Sequence, residues 1–285
     1  MILIPIIAGI SLATATIIEK VILSKEKTSV KFYETAGFLA IVLVMIPFLF
    51  FFWKLKPEAY TLKNVLIFLT VIIFSVIANY FSLLAMKKEK VSKLEPAKIT
   101  EPLFIILLAI VFSFLFDSSL YERNTKVIIP SIIAALALIF SHVKRHHLKF
   151  EKAFMFALIA SFFFALELVI SRLILDYYSG ITFYFLRCAF IFLITFFIFQ
   201  PDLLKRKPSK LTFHIFLVAA IWVVYRVVLY YGYVKIGVIS TTLLVMIGPI
   251  FIYLFAWKFL KEKITWKNIV STIIVLACVI YVSLI

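Results

Sequence analysis

The sequence predicts an all-α integral membrane protein with ten transmembrane helices arranged as two inverted five-helix repeats. Composition, the spacing of apolar runs and an internal repeat carry that prediction. Of the 285 residues, 65% are hydrophobic and 15% charged, whereas soluble domains run at roughly 45–50% apolar and about 25% charged. No water-soluble fold of this length hides so much apolar surface. The runs lack the apolar–polar alternation of membrane strands, which argues against a barrel.

A helix needs about 20 apolar residues to cross the hydrocarbon core. Ten candidate spans follow along the chain: Ile2–Leu23, Phe32–Phe52, Val65–Leu84, Leu103–Phe116, Val127–Phe140, Phe154–Leu175, Phe183–Phe199, Phe213–Val234, Leu243–Leu260 and Ile269–Ile285. The first has no basic n-region and no small-residue cleavage site, so it reads as a retained helix rather than a signal peptide. The fourth and fifth are short. The fourth reaches full length only by taking in "VSKLEPAKITEP" on its N-terminal side.

Cys188 and Cys278 each fall inside a span as small apolar filling, and neither a disulfide framework nor a metal site is indicated. His146 and His147 stand among Lys144, Arg145 and Lys149, which reads as a solvated basic loop. The formal net charge is +16, but the basic residues punctuate the ends of spans. They suit lipid headgroups rather than nucleic acid. No cofactor is expected.

The repeat comes from setting "MKKEKVSKLEPAKITEPLFIILLA" from Met86 against "YVKIGVISTTLLVMIGPIFIYLFA" from Tyr233. Without a gap, Lys88 meets Lys235, Val91 meets Val238, Pro102 meets Pro249 and Phe104 meets Phe251, all at an offset of 147. "LYERN" and "ITWKN" then introduce the last span of each half, and "ATATIIEK" lies loosely against "ALELVISR". The halves are residues 1–143 and 152–285, joined by a basic linker at 144–151. An odd number of spans per half forces the second half to enter the membrane from the opposite side. Folds of that kind place a substrate site near the midplane, where the halves meet.

"YGYVKIGVISTTLLVMIGPIFIYLFAWKFLKEKITWKN" resembles the closing motif of the drug/metabolite transporter superfamily, in its EamA-type ten-helix branch. The matching features are a small-residue helix, Pro249 early in the ninth span, and the turn Lys261, Glu262, Lys263, Ile264, Thr265 before the tenth. In the first half Ser118 stands where the turn glutamate would be, and the family's glycines and alanines are largely Ile and Phe. The resemblance implies a multi-pass transporter of the cell membrane.

Charges inside spans mark the candidate site, because a charge at membrane depth costs about 2.5 kcal/mol or more and faces a cavity or a partner. Pro102 and Pro249 recur in both halves and read as architectural kinks. Lys98 and Glu101 have only Val245 and Gly248 as counterparts, so the architecture does not demand them. Two readings stand. Either the fourth helix begins near Thr100 and Glu101 favours its N-terminus, or it begins near Val91 and Glu95, Lys98 and Glu101 pair along one face.

Glu19 and Lys20 lie deep in the first span and Glu167 in the sixth, while Asn79 and Arg226 are counterparts at the 147-residue offset. Arg187 lies near the start of its helix, where it either snorkels to the headgroups or belongs to the site. Trp222, Tyr225 and Tyr230 read as packing, interfacial anchors or site residues.

The substrate-binding candidates are therefore Arg226, Asn79, Tyr225, Trp222 and Lys98. Intramembrane carboxylates mark proton relays, so Glu101, Glu19 and Glu167 are the proton-coupling candidates. No H-E-x-x-H, G-x-S-x-G, aspartate-rich pair or Cys-x-x-Cys is present, and an intramembrane enzyme is disfavoured. The expected activity is alternating-access movement of a small polar metabolite, an amino acid or related carboxylate first, by a monomer or homodimer driven by a gradient. A receptor or scaffold without flux is the alternative.

Overall fold

The computed structural model describes residues 3–25, 28–89, 91–116, 120–142, 152–203, 209–251 and 266–285. Among them the chain is helical: α1 (Leu3–Lys25), α2 (Val30–Phe52), α3 (Leu62–Lys88), α4 (Val91–Lys98), α5 (Thr100–Leu115), α6 (Thr125–His142), α7 (Lys152–Ser171), α8 (Gly180–Phe199), α9 (Ser209–Lys235), α10 (Val238–Val245) and α11 (Trp266–Ser283). Among the described residues seven spans are long and apolar enough to cross a membrane, including Pro96–Leu115, which takes in the end of α4. Thr125–Ser141 and Val238–Phe251 are shorter apolar helices. The sixth predicted span ends early, because α7 stops at Ser171 and a 3₁₀ turn follows over Leu175–Tyr177. The basic linker, Ser118 and the turn from Lys261 to Thr265 lie outside the described residues.

Local chemistry sets the helix starts. Ser29 caps α2 by accepting from the Phe32 amide at 3.2 Å, and Ser179 caps α8 by accepting from the Thr182 amide at 3.0 Å. Each hydroxyl satisfies one of the amides that a helix N-terminus leaves without an intrahelical partner. The outer surface is apolar: Phe50, Phe114 and Phe197 are 87%, 74% and 69% exposed. In water such a surface would aggregate. In a bilayer it is the lipid-facing wall, and the protein is a multi-pass membrane protein.

The interior packing has a pattern. α3 packs on α7, α9 packs on α1, α2 meets α8, and α6 meets α11. At one crossing the backbones nearly touch: a Cβ on Gly9 of α1 would lie 3.0 Å from the Cα of Gly248. Small residues permit such close approach, which replaces the hydrophobic driving force that is missing between helices in lipid.

Both readings of the fourth span hold in part. The helix does begin at Val91, but it breaks at Ile99 and restarts at Thr100, so Glu101 sits in a first turn. The break has a direct cause. Proline lacks an N–H and its ring crowds the carbonyl four residues back. α4 ends at Lys98 and α10 at Val245, each four residues before its proline, Pro102 and Pro249. The Ala97 carbonyl at the first break accepts from the hydroxyls of Thr100 at 2.6 Å and Ser161 at 3.0 Å. At the second, Met246 and Ile247 form a turn, with the Ile247 amide reaching the Leu244 carbonyl at 3.4 Å.

Candidate functional site

Both breaks open onto one cavity. It holds about 140 Å³ of water-accessible space between α1, α3, α4, α5, α7, α9 and α10. Lys98, Glu101 and Pro102 at the first break and Val245, Met246 and Pro249 at the second all line it. Many wall residues come in pairs at the 147-residue offset: Asn79 with Arg226, Ser82 with Leu229, Met86 with Tyr233, Ile99 with Met246, and the two prolines. A smaller chamber of about 60 Å³ adjoins it under α2 and α8. Glu19, Asn79, Phe164, Trp222 and Arg226 belong to both walls.

Two buried carboxylates organise the polar wall. Glu19 accepts from the Trp222 indole at 2.9 Å and from the Tyr33 hydroxyl at 3.2 Å. Trp222 is thus held by a hydrogen bond and is more than packing. Glu167, fully buried on α7, meets Arg187 at 3.2 Å and Arg226 at 3.4 Å through Oε2, and its Oε1 accepts from Tyr230 at 3.1 Å. Arg187 also donates to Ser75 at 2.8 Å and to Tyr230 at 2.7 Å. The Arg226 guanidinium lies 5.6 Å from the Phe164 ring centroid and 5.9 Å from that of Tyr225, within cation–π range.

The interfacial readings of three residues are corrected here. Arg187 is 1% exposed and does not snorkel, because Glu167 and Ser75 compensate its charge inside the protein. Tyr225 and Tyr230 are 6% and 0% exposed and are not interfacial anchors, because α9 turns both inward. Lys20 does not reach the cavity wall. Its ammonium donates to the carbonyls of Met86 at 2.5 Å and Glu89 at 2.6 Å, where the C-terminal end of the α3 dipole favours a cation.

The other candidates are brought together. Arg226, Asn79, Tyr225, Trp222, Lys98, Glu101 and Glu19 all line the larger cavity, whereas Glu167 lines neither space and stands behind Arg226. The Asn79 amide donates to the Ser75 carbonyl at 2.7 Å. Among the described residues no group of three or more His, Cys, Asp or Glu side chains is placed to hold a metal ion. Sequence reasoning missed Tyr33, Glu34, Gly37 and Tyr184, all on the wall of the smaller chamber. Their one visible signal was a carboxylate, Glu34, entering an otherwise apolar run.

The EamA-like transporter family model matches residues 151–284. That segment, the second half of the chain, is thus similar to an EamA-like transporter domain. A solved structure described only as "Crystal structure of protein" superposes on the whole fold with a TM-score of 0.66 at 14% identity, covering 99% of this chain and 96% of that one. That likeness concerns the fold alone. Comparison with curated proteins finds no match. The matched segment carries Arg226, Trp222, Tyr225, Glu167 and Pro249, and the cavity lies between it and residues 1–143. The matched family is one of membrane transporters.

Proposed function

We propose that this EamA-like protein moves a small carboxylate-bearing metabolite across the cell membrane by alternating access, as a secondary exporter or exchanger. The ten helices act as two inverted five-helix repeats, residues 1–143 and 152–285, with residues 144–151 between them. Two regularities support the repeat. Exchanging the halves turns the packing of α3 on α7 into that of α9 on α1. The same exchange relates the helix ends at Lys98 and Val245, each four residues before a proline.

The observation that carries the cargo reading is the shared carboxylate. Arg187 and Arg226 both lean on Glu167. Guanidinium groups stay protonated in proteins, so one carboxylate leaves a positive charge over, and Arg226 presents it on the wall of both spaces. A buried uncompensated charge is expensive, and an anionic cargo would offset that cost. Lys98 and Asn79 face the same space and would bind its polar groups. Glu101 and Glu19 are the proton carriers of the cycle, with Glu101 first because Glu19 is held by Trp222 and Tyr33.

A ligand screen by thermal shift on purified protein tests this reading. Carboxylate-bearing metabolites should raise the melting temperature, and the same compounds should exchange across proteoliposomes. Stabilisation without flux would make the protein a receptor. No stabilisation by any carboxylate would overturn the cargo class.

A further inference from the structure

Glu34 is 2% exposed, and among the described residues neither of its carboxylate oxygens has a hydrogen-bond partner. Buried carboxylates are ordinarily paired or hydrogen-bonded, as Glu167 behind Arg226 is, with two arginines and a tyrosine. Glu34 faces the smaller chamber instead. One turn along α2 on the same face stands Gly37, which lines the same chamber. A Cβ built there would meet nothing within 4 Å. Glycine inside a helix destabilises it relative to alanine, and no close helix crossing here requires its small size. The pair therefore leaves open volume beside an unpartnered carboxyl group. The chamber, at about 60 Å³, has room for about four water-sized groups.

Resting on the carboxylate reading above, we infer that the chamber under α2 is a subsite for a protonated amino group, with Glu34 as its acceptor, so that the cargo carries both an ammonium and a carboxylate. Chamber geometry supports the division of labour. Arg226 lines both spaces and Glu34 only the smaller one, so a compact zwitterion spanning their junction meets both. Tyr33, Phe38, Tyr184 and Phe164 supply aromatic wall, which suits an ammonium. The other titratable and charged groups on that wall are Glu19 from α1, Tyr33 from α2, Tyr184 and Arg187 from α8, and Arg226 from α9. Glu19 is already answered by Trp222 and Tyr33, and the arginines by Glu167. Glu34 alone is left to receive a cation.

The test uses the full-length protein in nanodiscs and three probe sets: the proteinogenic amino acids, their deaminated carboxylic acids, and their decarboxylated amines. The best amino acid should bind roughly tenfold or more tighter than its deaminated acid, as expected for a lost hydrogen bond to a charged group. Glu34→Gln should bring the two to equal affinity at unchanged melting temperature of the empty protein. Gly37→Ala should leave the empty protein as stable or more so, yet weaken the amino acid and not the acid.

If Glu34→Gln preserves the ratio of amino acid to acid, or if no amine-bearing probe binds, the inference is wrong. If the variant alters only the pH dependence and keeps that ratio, Glu34 is a proton carrier and the ammonium subsite is refuted. Amines binding through Glu34 without any need for a carboxylate would sustain the subsite while removing the carboxylate reading.

Discussion

Glu167 holds Arg226 at 3.4 Å through the same oxygen that meets Arg187 at 3.2 Å. One carboxylate thus anchors α8 and α9 to α7. Removing it strands two buried guanidiniums side by side. Glu167→Gln should therefore lower stability by about 3–5 kcal/mol, the scale for breaking a buried pair. Thermal unfolding in detergent measures this. A melting temperature equal to wild type would mean that the arginines are held by other groups.

Pro102 and Pro249, four residues past the ends of α4 and α10, both line the cavity. Pro249→Ala restores the missing N–H and removes the ring clash, and an interior proline costs a helix about 3 kcal/mol. The variant should be at least as stable as wild type and transport more slowly, because a continuous helix closes the turn at Met246 and Ile247. Turnover in proteoliposomes beside the melting curve checks both halves of the statement. Unchanged turnover would make the break incidental.

Glu122, in the connection between α5 and α6, caps α10 in the other half of the chain. Its oxygens accept from the amides of Ile239 at 2.6 Å and Ser240 at 2.9 Å. Gly237 precedes them at φ 110°, and a Cβ there would run into the Glu122 carboxylate. Hydrogen bonds to a charged acceptor contribute about 1.5–3 kcal/mol each. Glu122→Ala should cost about 2 kcal/mol and speed amide exchange over Val238–Val245. Unaltered exchange there would show the cap to be dispensable.

Much of this site was legible in the sequence because its cause is local. Pro102 and Pro249 recur at one offset and read as kinks, and the helices do stop four residues before them, at Lys98 and Val245, although Pro47 and Pro130 stay inside α2 and α6. The 147-residue offset likewise put Asn79 opposite Arg226. What the sequence hid depends on which helices meet. The sequence left Arg187 open between the headgroups and the site, and the packing of α8 against α3 and α9, where Ser75 and Tyr230 receive it, decides. Glu34 sits in the second turn of α2, three residues from Lys31, and resembled ordinary span-end charge. Only the packed fold reveals that its oxygens are buried and Lys31 is exposed.

Orientation follows from basic residues in the connections. Those after the first, third, fifth, seventh and ninth spans hold nineteen Lys and Arg, and the alternate connections hold seven. By the positive-inside rule the richer set faces the cytoplasm, which leaves both termini outside. A C-terminal reporter active only in the cytoplasm should stay silent. Strong activity would reverse the assignment.

Arg226 carries the central claim, because Asn79 at the equivalent position shows that the repeat does not itself demand a cation there. Lysine keeps the charge but loses the planar fork that fits a carboxylate. The most direct measurement is uptake of a labelled carboxylate cargo into proteoliposomes holding wild type, Arg226→Lys, Arg226→Ala, or Arg226→Ala combined with Glu167→Gln. The account predicts correct insertion throughout, most of the affinity lost in the lysine variant, and no transport in either alanine variant. Normal transport by Arg226→Ala, or its recovery when Glu167 is neutralised, would make Arg226 a structural partner of Glu167 and end the anionic-cargo reading.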